Sequence, residues 1–437
     1  MMSTKQLFKK SIPIILSQSS SVIMGLVNLI FISSFGYQQI GIVGISNVFI
    51  QNALIILISF TFQTSLNVVK AKHDKFKTET EIVNSLLVAT MINLPIIIIL
   101  ITFSKQILNL LGASQELVNI GLTYFIIRIV SILFISVSRV GVSLFRGLGK
   151  NRLTMYITIL CNIINIMLNF VCINILKFGL NSLAYSLLIS EAIQIIILAY
   201  FIKKEGYTIF SDFRKKVNMR IIKKVNFEGY KIGLQDIGLT LTSVVFTMFA
   251  AKIGEKELAA TEILLNLLTL TYLPGIGIGI ISALEVGEII SNQKQNIRDQ
   301  LKKLRRIFIK VSLLFNVPVS VVFIFFSNLI ASVFTTDSAI INILVNIMWL
   351  SSIFLIFDTI QMILTDCVRA FEKNNELLFV TLILSMFLFV PLSYFMSFTL
   401  NMGIYGMWIS FYFYLVVQTI VLNYLYSKEM RGKGYYE

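Results

Sequence analysis

In the run Phe357-Asp358-Thr359-Ile360-Gln361, followed by Met362 and Thr365, a carboxylate is joined by an amide at +3 and a hydroxyl at +7. That spacing puts all three on one face of a helix. Such a face can hold Na+ through its oxygens, or take up H+ at Asp358 when water is stripped from the carboxylate. The bland alternative is a carboxylate that bonds across helices and holds a bundle together. Asp366 follows one turn beyond Met362, about 80° round the helix from Asp358. It either lines the same cavity wall or pairs with Arg369 at i+3. Asp236 and Glu262 are the other acids at membrane depth in the second half, whereas Glu228, Glu285 and Glu288 lie nearer the cytoplasmic ends of their runs. Asp236 is either an ion-binding group or the partner of Lys231 or Lys252. Glu262 either binds an ion, pairs with Lys256 or sits exposed at the outer mouth.

The first half offers different chemistry. Asn28, Asn165 and Asn169 are neutral amides that cannot titrate, and Glu191 is the one acid deep in an apolar run there. Arg128 and Arg139 are eleven residues apart, about 20° on a helical wheel, so they share a face. Arg128 can snorkel at an outer end. Arg139 is expected to form an ion pair with Glu191; if it instead points unpaired into a cavity, the first half is electropositive and an anionic or zwitterionic cargo fits. Cys161, Cys172 and Cys367 lack metal-ligand spacing, and His73, the single histidine, lies in a charged stretch. No metal centre is expected beyond Na+ at Asp358, and no cofactor other than H+ or Na+ as coupling ion. No histidine, cysteine or serine constellation supports an enzyme.

These residues demand partners because of the elements that carry them. Of 437 residues, 56% are hydrophobic and 14% charged, with a mean hydropathy of +0.84. Soluble domains carry roughly 25% charged residues. Apolar runs long enough to cross ~30 Å of hydrocarbon occur at about 11–35, 43–69, 82–104, 117–145, 153–176, 180–202, 228–253, 258–290, 307–327, 340–368, 377–398 and 402–426. The first lacks the charged lead and small-residue cleavage site of a removable signal peptide and is expected to stay on the protein. An ionised group at mid-bilayer costs about 2.5–3.5 kcal/mol on insertion scales, so each acid or arginine there needs compensation or a task.

The net charge of +15 would suggest nucleic acid in a soluble chain, but here the basic residues follow topology. Lys5, Lys9 and Lys10 precede the first run, and Lys70 to Lys77 follow the second. Arg146 to Arg152, Lys203 to Lys224, Lys294 to Arg306, Arg369 with Lys373, and Lys428 to Lys433 fall in the later even gaps or after the last run. The odd gaps hold Lys105, Lys177, Lys252 and Lys256. Both termini and all even gaps are therefore expected to face the cytoplasm. The expected setting is the inner (plasma) membrane of a prokaryote, as a monomer among membrane lipids, with no nucleic-acid partner.

The halves echo each other. Arg146-Gly147-Leu148-Gly149-Lys150-Asn151 and Arg369-Ala370-Phe371-Glu372-Lys373-Asn374 repeat Arg, Lys and Asn at the same places, and Gly36 and Gly254 each precede a polar link to a long run. Six runs per half make the repeat parallel, which predicts a substrate site between the halves. The expected division is a six-helix lobe over 1–203, a cytoplasmic linker over 204–226 near anionic headgroups, and a second lobe over 227–437.

Together these stretches resemble the multidrug and toxic compound extrusion (MATE) transporters. The resemblance rests on Pro13 with Gln18, Phe145-Arg146-Gly147-Leu148-Gly149, Asn165 with Asn169, Leu258-Ala259-Ala260 with Pro274, Gly275 and Gly277, and Gly403-Ile404-Tyr405-Gly406-Met407-Trp408. It implies an all-α integral membrane fold of twelve transmembrane helices in two pseudo-symmetric six-helix lobes forming a V. The implied activity is export of drugs, toxins or other organic solutes by H+ or Na+ antiport, with access alternating between the lobes. Asp358 occupies the place of the family's tenth-helix aspartate. Asn28 and Asn169 stand where one subgroup carries first-half aspartates, so proton coupling of that kind is not expected; coupling is expected in the second half. The substrate-cavity candidates are Asn28, Asn165, Asn169, Arg139, Met362 and Thr365. Two alternatives stay open in the same superfamily, a lipid-linked precursor flippase and an exporter of an anionic or zwitterionic natural product. A receptor or scaffold would require the membrane acids to be purely structural.

Overall fold

The computed structural model describes residues 2–33, 35–209, 211–292 and 296–432; Lys294 and Lys433 of the basic runs lie outside them. The described chain is helical. Its twelve membrane-spanning helices are α1 (Thr4–Ile32), α2 (Gln38–Ala71), α3 (Lys75–Thr102), α4 (Gln115–Gly147), α5 (Asn151–Ile175), α6 (Asn181–Lys204), α7 (Met219–Ile253), α8 (Glu255–Ser291), α9 (Ile297–Phe325), α10 (Ser338–Ala370), α11 (Asn374–Thr399) and α12 (Gly403–Met430). Several start well before the apolar run that betrays them. The apolar pattern marks the hydrocarbon layer, whereas α7 with 35 residues and α8 with 37 reach over 50 Å at about 1.5 Å per residue. Their charged first turns continue the backbone hydrogen bonding into the headgroup zone. Side chains at the helix starts close free N–H groups: Asp74 Oδ1 accepts from the Lys77 N–H at 3.0 Å, and Asp337 Oδ1 from the Ala339 N–H at 2.8 Å. The Lys256 ammonium, together with that cap, holds the Asp337 carboxyl below the usual carboxylate range.

Two compact units make up the chain, one of Met1–Ile15 with Leu234–Glu437, the other of Leu16–Gly233. The division falls inside α1 and inside α7. In the unit containing the second half, Phe246, Phe389, Trp408, Phe411 and Tyr412 form a ring-on-ring core, with Phe246 and Trp408 centroids 4.8 Å apart edge to face. In the other unit the core is mostly aliphatic, one cluster built around Ile42, Ile50, Val118, Ile129 and Ile132 and a second around Val68, Val83, Val140 and Phe145.

The repeat is visible in the backbone. Gly149 after α4 and Glu372 after α10 both turn through positive φ, 76° and 62°. After α5 and α11 the pattern recurs as Lys177 (52°) with Gly179 (64°) and Asn401 (52°) with Gly403 (56°). The closing turns of α5 and α11, Val171–Ile175 and Phe395–Thr399, are both π-helical. Equal bends at equal places with different residues show that the turn geometry, not the residue identity, is what the halves share.

Gly147 and Gly149 separate two reasons for glycine. A Cβ on Gly147 would lie 2.6 Å from Val68 Cβ and 2.8 Å from the Ser65 carbonyl, whereas one on Gly149 would meet open space. Gly149→Ala is therefore expected to cost about 1 kcal/mol through its left-handed backbone alone, and Gly147→Ala more, on the order of 1–3 kcal/mol of overpacking. Thermal unfolding in detergent checks the ranking; equal midpoints for the two variants would contradict it.

Candidate functional site

The second-half unit gathers its membrane acids around α10. Arg369, at the end of that helix, places its Nη2 2.6 Å from Asp236 Oδ1 of α7 and its Nη1 3.2 Å from Asp366 Oδ1 one turn back. Gln235 Oε1 accepts from Arg369 Nη2 at 2.9 Å and Nε at 3.3 Å, while Gln235 Nε2 donates to Thr381 Oγ1 at 3.3 Å. The guanidinium is 8% exposed, Asp366 15% and Asp236 36%, so the cluster is sealed on the α10 side and wetter on the α7 side. A Cβ on Gly279 would stand 2.6 Å from Asp366 Oδ2; the bare glycine lets α8 press against the carboxylate.

This arrangement sorts the sequence candidates. Asp366 pairs with Arg369, the second of its two expected options. Asp236 pairs with Arg369 too, in place of the expected Lys231 or Lys252, because Lys231 is held by Glu228 at 2.7 Å. Lys256 pairs with Asp337 at 2.9 Å, leaving Glu262 exposed, with Thr247 Oγ1 3.3 Å from its Oε1. Asp358, half-buried, forms no hydrogen bond or ion pair with any described residue. The phenols of Tyr272, Tyr412 and Tyr414 stand within electrostatic reach of it. On the same helix Gln361 Nε2 donates to Thr365 Oγ1 at 3.4 Å, and Met362 Sδ would touch a Cβ on Gly275 at 3.3 Å. Thr359 exchanges hydrogen bonds with Asn316 of α9. The amide and hydroxyl are therefore engaged with each other and not with the carboxylate at 358.

The first-half unit holds a cavity of about 450 Å³ among α1, α2, α4, α5 and α6, lined by Asn28, Arg128, Arg139, Glu191 and other polar groups. The expected Arg139–Glu191 ion pair is absent among the described residues. Glu191 accepts instead from Ser138 Oγ at 2.6 Å. Neighbouring residues of a helix diverge by about 100°, so when Ser138 faces α6, Arg139 turns into the cavity. Arg128 sits beside Tyr124, with its Nε unpartnered. Asn169 Nδ2 donates to Asn28 Oδ1 at 2.7 Å and to Asn165 Oδ1 at 3.3 Å, and Asn165 Nδ2 to Ser190 at 3.4 Å. This amide chain leaves the buried Asn169 Oδ1 without a donor.

Sequence reasoning missed Gln235, Ser138 and the tyrosines around Asp358. It also passed over Arg146. That residue is the first-half counterpart of Arg369, yet among the described residues no acid pairs with it, its Nε is buried without a partner, and Arg139 is its electrostatic neighbour. The signal was present in the repeat: where α10 has Asp366 three residues before its arginine, α4 has Ser143.

The MatE family model matches residues 13–171 and 232–395. A probable multidrug resistance protein NorM from Photorhabdus laumondii is 24% identical, the match covering 98% of this chain and 96% of that one. Its namesake from Thermotoga maritima is 22% identical over 93% and 88%. Among solved structures, an outward-facing multidrug resistance MATE family transporter of the MOP superfamily superposes with a TM-score of 0.87 at 20% identity, over 98% of both chains. A MOP superfamily transporter from Pyrococcus furiosus, described as having a binding pocket of reverse polarity, gives 0.88 at 20% identity over 98% and 96%. The structural likenesses show the fold, and the family model carries the assignment: this chain belongs to the MatE family of membrane transporters.

Proposed function

We propose that the protein exports amphipathic organic solutes in exchange for an inward-moving cation, H+ or Na+, which binds at Asp358. The observation that carries this reading is the contrast within one unit: Asp236 and Asp366 are compensated by Arg369, whereas Asp358 has no partner among the described residues. A bare carboxylate in an apolar bundle is costly, so cation binding there stabilises whichever conformation offers the carboxylate oxygens best. One charge moved through 100 mV supplies about 2.3 kcal/mol, enough to bias a two-state exchange of access. The distribution of lysine and arginine supports an inner-membrane setting with the Lys-rich ends cytoplasmic.

A specific observation favours one class of cargo. The first-half cavity is lined by Arg128 and Arg139 against the single acid Glu191, with Arg146 uncompensated nearby. For the Pyrococcus furiosus transporter a pocket of reversed polarity has been taken to suggest a different function. Here the excess of guanidinium supports an amphiphile with an anionic or zwitterionic head over a simple organic cation, since a desolvated arginine and carboxylate form charge-assisted bonds.

In proteoliposomes under separately imposed H+ and Na+ gradients, efflux is expected to follow one gradient in the wild type and to lose that dependence in Asp358→Asn. Gradient-driven transport persisting in the variant would remove Asp358 from coupling, and indifference of the wild type to both gradients would remove antiport itself. For the cargo, Arg139→Gln is expected to weaken binding of a zwitterionic or anionic amphiphile about tenfold, near 1.4 kcal/mol, with a cationic one unaffected or tighter; the opposite ranking in equilibrium binding would reject it. The compensation that sets Asp358 apart has its own check. Arg369→Met should destabilise by roughly 3–5 kcal/mol by stranding two carboxylates, and adding Asp236→Asn with Asp366→Asn should recover most of it. Thermal unfolding reads both, and an Arg369→Met variant as stable as the wild type would contradict the arrangement.

A further inference from the structure

The segment that joins the halves is clasped to its own unit. Lys216, 2% exposed, pairs with Glu79 of α3, 6% exposed, at 2.7 Å, and its ammonium also donates to the carbonyls of Thr208 at 2.5 Å and Ser211 at 2.8 Å. Glu79 Oε1 accepts from the Thr208 N–H at 2.7 Å. Asn84 closes the far side, donating to the Lys216 carbonyl and accepting from the Asn218 N–H, both at 2.8 Å. An ion pair this buried persists only when its remaining donors and acceptors are met, and here they are. The linker is thus fixed against α3 by its own hydrogen bonds.

What the clasp fixes is a roof. Tyr207, Thr208, Ile209 and Ser211 cover one side of a second cavity, about 520 Å³, separate from the one that holds Arg139. Its walls come from α3, α4 and α6, among them Ile82, Leu86, Val140, Ile195 and Leu198. Those walls offer water almost no partners, and an apolar space of this size has room for a ligand, not merely a packing defect. Ala199 and Lys203, also in its lining, are exposed and mark its mouth.

The mouth is basic. Lys203 has no ion-pair partner among the described residues, Lys204 follows it, and the Lys75 ammonium lies 3.6 Å from the place of a Cβ on Gly206. The nearby acids are already paired, Glu205 with Lys150, Glu79 with Lys216 and Asp212 with Lys215. An apolar slot between membrane-spanning helices, with the Lys203 ammonium at its rim and Lys204 and Lys75 beyond the lining, complements one occupant: an acyl chain carrying an anionic head.

We propose that this cavity is a structural binding site for an anionic phospholipid, its acyl chain among α3, α4 and α6, its phosphate at Lys203, and its roof the clasped inter-half segment. Basic pockets between membrane helices on the Lys-rich side recognise anionic headgroups by this chemistry. The site does not depend on the transport reading above.

Native mass spectrometry of the full chain in mild detergent tests it, with phosphatidylglycerol and phosphatidylcholine of equal chain length as probes. The wild type is expected to retain one phosphatidylglycerol at detergent concentrations that strip phosphatidylcholine. Ala199→Trp, which fills the mouth, should abolish retention of either lipid. Lys203→Gln, on exposed surface and able to carry the test alone if Ala199→Trp fails to fold, should lower the preference for phosphatidylglycerol several-fold. Unchanged retention in a folded Ala199→Trp, or an unchanged preference in Lys203→Gln, would overturn the site. Displacement of the lipid by a transported solute would also overturn it, by making the cavity part of the transport path.

Discussion

Arg369 cannot carry its charge inside an apolar helix bundle alone, and the second-half unit is arranged around meeting that demand. Two carboxylates and an amide oxygen take up its donors, one acid from its own helix and the rest from α7. Buried ion pairs of this kind add little net stability relative to an apolar replacement, but breaking one is costly. Their consequence here is registration. Asp366 must reach Arg369 past α8, which is possible because Gly279 presents no side chain, and α7 must bring Asp236 and Gln235 to the same depth. The guanidinium thus ties α10 to α7, while α8 packs against the same cluster through Gly279. The same demand explains why Asp358, about three turns before Arg369 on α10, is conspicuous: the cation that compensates Asp236 and Asp366 is fully engaged with them.

The first half repeats the backbone without the charges. Gly149 and Glu372 turn alike, as do Lys177 and Asn401, so the architecture was duplicated at the level of bends and closing turns. Arg146 repeats Arg369, but Ser143 replaces Asp366. What remains in the cavity of that unit is arginine, Glu191 turned to Ser138, and Asn28, behind which the fully buried Asn165 and Asn169 form a chain of amides outside the lining. A duplicated scaffold with opposite electrostatics in its halves suits a division of labour, cation on one side and cargo on the other.

Twelve helices were legible in the sequence because hydrocarbon thickness imposes one length scale on every apolar run. Their charged extensions, as in α7 and α9, were not, since nothing apolar marks them. The pairing of Asp366 with Arg369 could be read because i and i+3 share a helix face. Asp236 could not be assigned its partner, which lies 133 residues away. The expected Arg139–Glu191 pair failed on a rotation of one residue, a difference that helical periodicity alone does not fix without knowing how α6 is turned. The clasp of Lys216 on Glu79 was hidden most completely, because a polar loop offers no periodicity at all.

Coupling as proposed requires Asp358 to be the membrane-depth carboxylate of the second half that changes its bound cation while Asp236 and Asp366 stay locked to Arg369. Infrared difference spectroscopy of the reconstituted protein, stepping pH or Na+, observes carboxyl groups directly. The prediction is a carboxyl band that responds to one of these ions, vanishes in Asp358→Asn and survives in Asp236→Asn and Asp366→Asn. A responding band that persists in Asp358→Asn and disappears in either of the other two would contradict it.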